Sequence, residues 1–356
     1  MAASRSLIAP TSNPLLERAL LEKLSRRAEA AGSLGKLEPL ALRLGLMQNT
    51  LKPRLREPQL LVFAADHGIA VDGIEAGARQ PTVEQVRRLL GGQLPLAVFA
   101  RIQNIELTVV DCGVAENIDA HERLLMRKIA HGTRNARLGA AMSLDQAHAA
   151  MRAGMEIGDT LAGNVLLCAG LGVGSHLSAA LLLSRLTDTP ARELLVSGRD
   201  GDAEGLNHLL AVAQAAHARH RELREPIELL AALGGFELAM MVGAILVATS
   251  KRHLVMIDGI AACAALLLAA RIATPVTDYC VFCRSQSHRG LSKALHLFRA
   301  SALLELDMDS TDGSGATLAW PLVRSAAALL TEVADGEDPG ASQPPPMSAS
   351  DPAAPG

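Results

Sequence analysis

Four short apolar runs, each ending abruptly at a polar or glycine-containing turn, constrain the fold of this chain more than any other feature of its sequence. The runs are residues 60–65, 105–110, 165–168 and 254–257. Continuous apolar runs of this length are typical of parallel strands buried on both faces. Ala- and Leu-rich stretches of helical length, such as residues 144–161 and 206–219, lie between them. The alternation predicts an α/β fold with a parallel, Rossmann-like sheet flanked by helices.

The chain of 356 residues exceeds the usual size of one hydrophobic core, about 250–300 residues, so a main domain with a smaller appendage is expected. Residues 14–47 are rich in helix formers but are interrupted at 32–35, which predicts a helical hairpin or arm. The Pro-rich end has little to bury and predicts disorder. We therefore expect an N-terminal helical arm at 1–50, an α/β domain at 51–335 and a disordered tail at 336–356.

Composition excludes several classes of function. Aromatic residues make up only 2%, which argues against a platform that stacks single-stranded bases, and a net charge of −3 leaves no basic surplus for nucleic acid. The longest apolar stretches, 238–250 and 260–270, are shorter than the roughly 20 residues that a membrane span needs. No signal-peptide pattern precedes residue 14, and five cysteines do not suggest a disulfide framework. The expected protein is cytoplasmic and acts on small molecules.

A glycine-rich turn, Gly170-Leu171-Gly172-Val173-Gly174-Ser175-His176, follows the third apolar run and precedes an apolar helical stretch. Alternate glycines let backbone N–H groups approach an anion, and a helix N-terminus favours negative charge. The pattern therefore suggests a phosphate cradle around Gly172, Gly174 and Ser175. A tight strand-to-helix turn without a ligand has the same sequence, so both interpretations stay open.

A second glycine-containing cluster, Asp312-Gly313-Ser314-Gly315-Ala316, precedes the last helical stretch. Gly313, Ser314 and Gly315 could hold phosphate or ribose, and a partly buried Asp312 could act as a general base. The alternative is that Asp309 or Asp312 caps the last helix, and the cluster on its own favours that alternative because Asp is a preferred N-cap residue.

Three further groups have weaker patterns. The Cys280-Val281-Phe282-Cys283 segment, with His288 beyond it, has the spacing of half a zinc site or of a redox pair. No second pair completes four ligands, and the residues between the thiols suit a buried strand, so neither a metal nor another cofactor is expected. Asp66 and His67 could form a metal-binding or acid/base pair, or Asp66 could be a structural residue at a strand end. His208 lies near a predicted helix start, where it could contact an anion or be an ordinary polar residue of the surface.

Eight segments in this order are similar to one known family, that of the nicotinate-nucleotide:dimethylbenzimidazole phosphoribosyltransferases, over about residues 15–333. The segments are Gly32-Ser33-Leu34-Gly35-Lys36-Leu37-Glu38, Ala65-Asp66-His67-Gly68, Val110-Asp111-Cys112-Gly113-Val114, Gly132-Thr133-Arg134-Asn135, Ala141-Met142-Ser143, Leu233-Gly234-Gly235-Phe236-Glu237, Asp258-Gly259 and Gly313-Ser314-Gly315-Ala316. No single segment is specific, but their order and spacing together are.

The resemblance implies a parallel α/β sheet, a small helical subdomain built from the two chain ends, and a homodimer. It also implies a reaction in which a benzimidazole nitrogen attacks the ribose C1′ of nicotinate mononucleotide and releases nicotinate, leaving an α-ribazole phosphate. In the family a carboxylate before the Gly-Ser-Gly segment is the general base, and here that position holds Asp312. By the same resemblance Gly172, Gly174, Ser175, His176 and His208 are expected around the phosphate, and Gln85 at the base pocket.

Several polar positions depart from the family pattern. Asp312 replaces a glutamate, Gly170 a strand-end glutamate and His208 a lysine, while Ser175-His176-Leu177 stand where the family has Asn-Thr-Thr. Arg284 adds a cation to a stretch that loses a carboxylate. Two functions therefore remain open. One is an active phosphoribosyltransferase, and the other is a catalytically weakened homologue that binds a nucleotide or base or partners an active subunit.

Overall fold

The computed structural model describes residues 7–74, 80–195, 203–285, 289–308 and 310–333. Its main sheet has six parallel strands, in the spatial order β3-β2-β1-β4-β5-β6. A separate pair of short parallel strands, β7 and β8, lies beside it. The strands are β1 (Gln59–Ala65), β2 (Glu106–Gly113), β3 (Leu124–Met126), β4 (Val165–Leu171), β5 (Leu254–Ile257), β6 (Cys280–Phe282), β7 (Arg284–Ser285) and β8 (Leu304–Glu305).

The strand order reverses between β1 and β4, because β2 and β3 extend the sheet to one side of β1 while β5 and β6 extend it to the other side of β4. All four apolar runs of the sequence are strands of this sheet, and the predicted α/β class is confirmed. In open parallel sheets ligands bind beyond the carboxyl ends of the strands, at the point where the order reverses. We therefore expect the ligand site to lie beyond the carboxyl ends of β1, β4 and β5.

Helices cover both faces of the sheet. They are α1 (Pro14–Ala31), α2 (Leu37–Gln48), α3 (Thr82–Leu90), α4 (Pro95–Ile102), α5 (Leu144–Asp159), α6 (Ser175–Thr187), α7 (Ala191–Leu195), α8 (Ala203–Arg219), α9 (Pro226–Leu233), α10 (Phe236–Ser250), α11 (Ile260–Ile272), α12 (Arg289–Leu297) and α13 (Ser314–Thr331), with 3₁₀ helices at Gly68–Asp72 and Thr274–Tyr279. None of the helices in the described ranges is long and apolar enough to cross a membrane.

The core is built from small and aliphatic side chains, as the low aromatic content requires. Helix α10 is buried over almost its whole length and packs on α5, on α11 and on four strands of the sheet. Gly154 of α5 and Gly243 of α10 allow the two helices to approach closely, since a methyl group on either glycine would overlap a backbone carbonyl of the other helix. The few large rings that are fully buried are Phe63, Phe236 and Tyr279.

The two ends of the described chain meet on one side of the sheet. Asn13 caps α1 by accepting a hydrogen bond from the backbone N–H of Leu16, and α1 ends at Gly32, where the sequence predicts a break. Helices α1 and α2 both contact α13. The division into an arm at 1–50 and a domain at 51–335 stays a prediction, and the expected tail at 336–356 lies outside the described residues.

Candidate active site

A cavity of about 310 Å³ opens beyond the carboxyl ends of β4 and β5. Five predicted site residues line it: Gln85, Gly172, Ser175, His176 and Asp312. They come from α3, the turn after β4, the first turn of α6 and the loop before α13. The other lining residues, which carry no predicted role, are Gly170, Leu171, Gly259, Ile260, Ala261, Arg284, Leu291, Ser310 and Thr311.

One acidic and one basic side chain, those of Asp312 and Arg284, line the cavity, and a second carboxylate, that of Asp258, is buried next to Arg284. The Arg284 side chain is 3% exposed, and its Nε lies 2.8 Å from Asp258 Oδ1. Its Nη2 lies 3.0 Å from Asp312 Oδ1, and the Asp312 side chain is 23% exposed. Asp258 itself is fully buried. Asp312 therefore lines the cavity with its carboxylate paired to a nearly buried guanidinium.

Helix α13 is capped by a residue from a distant strand. Asp258, directly after β5, accepts hydrogen bonds from the backbone N–H groups of Gly313 (2.7 Å), Gly315 (2.8 Å) and Ala316 (3.3 Å). A carboxylate satisfies the free N–H groups of a helix start and interacts favourably with the helix dipole. The expectation that Asp312 caps this helix is therefore wrong, because Gly313 stands at the N-cap and Asp258 supplies the oxygen. Asp309 lies outside the described residues.

The Gly313-Ser314-Gly315 segment is expected from the sequence to bind substrate, but the structure places it behind the cavity wall. Two of its N–H groups are bonded to Asp258, and Ser314 is 1% exposed. None of the three residues is among the described residues that line the cavity. The segment therefore forms the start of α13, and substrate binding by Gly313, Ser314 and Gly315 stays a prediction.

The glycine-rich turn is locked onto the end of β1. The Val173 N–H donates to Thr82 Oγ1 at 3.0 Å, and the Val173 carbonyl accepts from the His67 N–H at 3.3 Å. The backbone of Gly172 passes so close to Ala65 that a Cβ there would lie 1.9 Å from the Ala65 carbonyl oxygen. Gly174 precedes the first residue of α6, Ser175, whose side chain lines the cavity with that of His176. A helix start exposed to a cavity in this way favours an anion.

A buried polar network supports this helix start from below. Glu237 Oε1 lies 2.8 Å from His67 Nε2 and accepts the Ser175 hydroxyl at 2.9 Å. The Ser178 Oγ lies 2.8 Å from the other ring nitrogen of His67. Because a hydroxyl has a single proton, the proton of Ser175 is taken up by its hydrogen bond to Glu237. The sequence signal for this network is the single charged residue, Glu237, in the otherwise apolar α10.

Asp66 and His67, neighbours in the sequence, have separate partners. Asp66 accepts hydrogen bonds from the Thr82 hydroxyl and, at 2.7 Å, from the Ala115 N–H. Asp66 therefore joins three segments around the end of β1, which corresponds to its structural interpretation. His67, through Glu237, belongs to the network beneath the cavity.

His208 is a predicted site residue whose hydrogen-bond contact lies outside the cavity. Its Nε2 is 2.6 Å from the Asp72 carbonyl oxygen, and it is not among the described residues that line the cavity. Asp72 in turn binds Arg137, with 2.6 Å between Asp72 Oδ1 and Arg137 Nη2, and this hydrogen bond lowers the pKa of the Asp72 carboxyl. The structure therefore places His208 beside the Asp72–Arg137 ion pair, and its role at the phosphate stays a prediction.

The Cys280 and Cys283 thiols are buried in and after β6. Burial raises the pKa of Cys280 to about 12 and that of Cys283 well above its usual value, so the reactive thiolate form is disfavoured. Within the described ranges, no group of three or more His, Cys, Asp or Glu side chains could hold a metal ion. His288 lies outside those ranges.

This chain is similar to proteins of one family. A family model described as "Phosphoribosyltransferase" matches residues 9–340. The nicotinate-nucleotide–dimethylbenzimidazole phosphoribosyltransferase of Cupriavidus taiwanensis is 41% identical over 332 residues, which cover 92% of this chain and 95% of that protein. The protein of the same name from Variovorax paradoxus is 40% identical, with 91% and 93% covered. A crystal structure of the Thermus thermophilus protein of that name superposes with a TM-score of 0.83 at 30% identity, covering 90% of this chain and 96% of that one.

Proposed function

The chain belongs to the nicotinate-nucleotide–dimethylbenzimidazole phosphoribosyltransferase family, and from this premise we propose that it makes α-ribazole 5′-phosphate for cobalamin lower-ligand assembly. The substrates are nicotinate mononucleotide and 5,6-dimethylbenzimidazole or a related base, and the second product is nicotinate. The enzyme is thus a pentosyltransferase. No cofactor enters this reaction, because the leaving pyridinium ring itself accepts the electron pair of the broken bond.

The observation that carries the proposal is the position of Asp312, whose carboxylate lines the same cavity as the start of α6. One nitrogen of the benzimidazole ring forms a bond to the ribose C1′ while the bond from C1′ to nicotinate breaks. The proton on the other ring nitrogen passes to Asp312. General-base assistance of this kind contributes about 10²- to 10⁴-fold in rate, and correct placement of the two rings contributes more.

The phosphate of nicotinate mononucleotide is assigned to the turn before α6. Gly172 and Gly174 keep the backbone close, and the helix start supplies a favourable dipole. Ser175 and His176, the first two residues of that helix, line the same cavity. Gln85, across the cavity on α3, is proposed to contact the base, with Leu171, Ile260 and Leu291 as its apolar surroundings.

The second candidate function, a weakened homologue that binds a nucleotide or base or partners an active subunit, has one observation in its favour. The Asp312 carboxylate is already paired with Arg284, at 3.0 Å. A carboxylate held by a guanidinium is a weaker base than a free one, because protonation must compete with the ion pair. The two candidates therefore differ in turnover and not in whether the cavity binds nicotinate mononucleotide.

One assay separates the two candidates. Purified full-length protein is incubated with nicotinate mononucleotide and 5,6-dimethylbenzimidazole, and nicotinate and the ribazole phosphate are separated by chromatography. We expect nicotinate to appear only when both substrates are present, in equal amounts with the ribazole phosphate. Binding of nicotinate mononucleotide by calorimetry without any release of nicotinate would exclude the enzyme and support the weakened homologue. A panel of benzimidazoles, purines and phenols then identifies the preferred base.

We also propose that the protein acts as a homodimer in the cytoplasm, on the resemblance to its family. A pure sample studied by size-exclusion chromatography with light scattering should have a mass close to twice the 37.3 kDa of one chain. A mass equal to that of one chain at micromolar concentration would contradict the homodimer. The negative net charge of the chain predicts no retention on a nucleic-acid column.

A further inference from the structure

We propose that Arg284 is a positioning residue for the transfer reaction: it holds the Asp312 carboxylate and the loop that carries it at a fixed distance from the sheet. The inference rests on the proposed function, because Asp312 is assigned there as the base. Arg284 is a nearly buried cation that contacts acceptors on two separate segments and also lines the cavity.

The contacts of Arg284 show how one side chain fixes the loop. Its Nη1 donates to Ser310 Oγ at 3.0 Å and to the Met308 carbonyl at 3.4 Å. Its Nη2 donates to the Ser310 carbonyl at 3.2 Å and to Asp312 Oδ1 at 3.0 Å. The guanidinium therefore holds both the backbone of the loop before α13 and the carboxylate at its end.

The other side of the guanidinium is anchored in the core. Arg284 Nε lies 2.8 Å from Asp258 Oδ1, and the second oxygen of Asp258 accepts three N–H groups at the start of α13. Asp258 thus binds the helix that follows Asp312 while also anchoring the arginine that holds Asp312. The Asp312 carboxylate sits between this arginine and the backbone of Gly259, so its position is determined from two sides.

An arginine is needed because the donors must point in several directions from one plane. A lysine at 284 keeps the positive charge, but its ammonium is a compact point charge that cannot contact Asp258, Ser310 and Asp312 with the same geometry. The Arg284→Lys substitution therefore separates the charge from the fork of donors. Because the charge stays, the buried Asp258 keeps a counter-ion, and the protein is expected to fold.

The test compares wild type with Arg284→Lys, and uses Arg185→Lys as the matched control. Arg185 also holds backbone carbonyls with its Nη2, at 3.0 Å to Leu223 and 3.1 Å to Arg221, but it does not line the cavity. We expect Arg284→Lys to lower kcat by about tenfold or more, with the KM for nicotinate mononucleotide within about twofold of wild type. Arg185→Lys should change neither parameter.

A double-mutant cycle identifies the residue through which Arg284 acts. In an Asp312→Ala background, Arg284→Lys should lower kcat no further, because the group that it positions is gone. Hydrogen exchange of the peptide spanning 310–317 should be faster in Arg284→Lys than in wild type. A wild-type kcat in Arg284→Lys, an equal loss in both backgrounds, or unchanged exchange would each overturn the proposal. If wild type releases no nicotinate, the proposed function fails, and hydrogen exchange alone decides whether Arg284 fixes the loop.

Discussion

Replacement of Gly259 by alanine should reduce turnover about 100-fold without unfolding the protein. Gly259 follows Asp258 and has φ 93° and ψ 166°, a backbone region that is open almost only to glycine. A Cβ at this position would lie 2.1 Å from the carboxyl carbon of Asp312, whereas ordinary contacts begin at 3.4 Å. The carboxylate must therefore move by about 1 Å, and a displacement of this size costs on the order of 100-fold in rate.

The Gly32→Ala substitution is a matched control for the backbone strain that Gly259→Ala introduces. Gly32 has φ 81° and ψ 173°, nearly the same conformation, and a Cβ there would meet none of the described atoms within 4 Å. Both alanine variants should lose about 1–3 kcal/mol in free energy of unfolding, as measured with urea. Only Gly259→Ala should lose nicotinate release at saturating substrates. A wild-type kcat in Gly259→Ala, with a loss of stability like that of Gly32→Ala, would refute the reasoning that Asp312 must stay in place.

Three further predictions concern stability and reactivity. Gly243→Ala places a Cβ 2.0 Å from the Met151 carbonyl oxygen and should lower the free energy of unfolding by about 1–3 kcal/mol. Gly139→Ala, whose Cβ would meet no described atom within 4 Å, should change that free energy by less than about 0.5 kcal/mol. Equal effects of the two substitutions would contradict the close packing of α5 on α10. Burial lowers the pKa of His217, so the stability that this residue contributes above its ordinary pKa, about 6.5, is lost as the pH falls through the lowered value. The His217→Gln variant should therefore lose less stability than wild type between pH 7 and pH 5. An equal loss in both proteins would contradict this assignment. Burial raises the pKa of all five thiols, so none should react with a disulfide reagent at pH 8 until urea unfolds the protein, and rapid reaction in the native state would show that the burial is wrong.

Strands β1, β2, β4 and β5 and their carboxyl ends were predictable from the sequence, because burial on both faces leaves an unbroken apolar run. Strand β3, with only three residues at the sheet edge, is half-exposed and leaves no such signal. The order of strands was not predictable, since an apolar run does not say which neighbour it pairs with. The reversal between β1 and β4, one strand away from the pair whose ends line the cavity, therefore required the structure.

The site was predictable where its residues follow one another in the chain. Ser175 and Asp312 each lie at a turn before a helix, and both line the cavity. The partners that hold them come from elsewhere: Glu237 is 62 residues from Ser175, and Arg284 is 28 residues from Asp312. A local pattern suggested that Asp312 caps its own helix, but the cap is Asp258 from 55 residues away. Local sequence describes which groups could act, whereas tertiary packing decides which of them are already bonded.

The role of Asp312 as the general base is tested most directly by comparing the kcat of Asp312→Asn with that of wild type. Binding of nicotinate mononucleotide is measured by calorimetry on both proteins. Asparagine keeps the shape of the side chain but cannot take up the proton of the attacking base. We expect release of nicotinate to fall by about 10²- to 10⁴-fold while the affinity for nicotinate mononucleotide stays within about twofold. A wild-type rate in Asp312→Asn would show that the cavity does not use this carboxylate as its base.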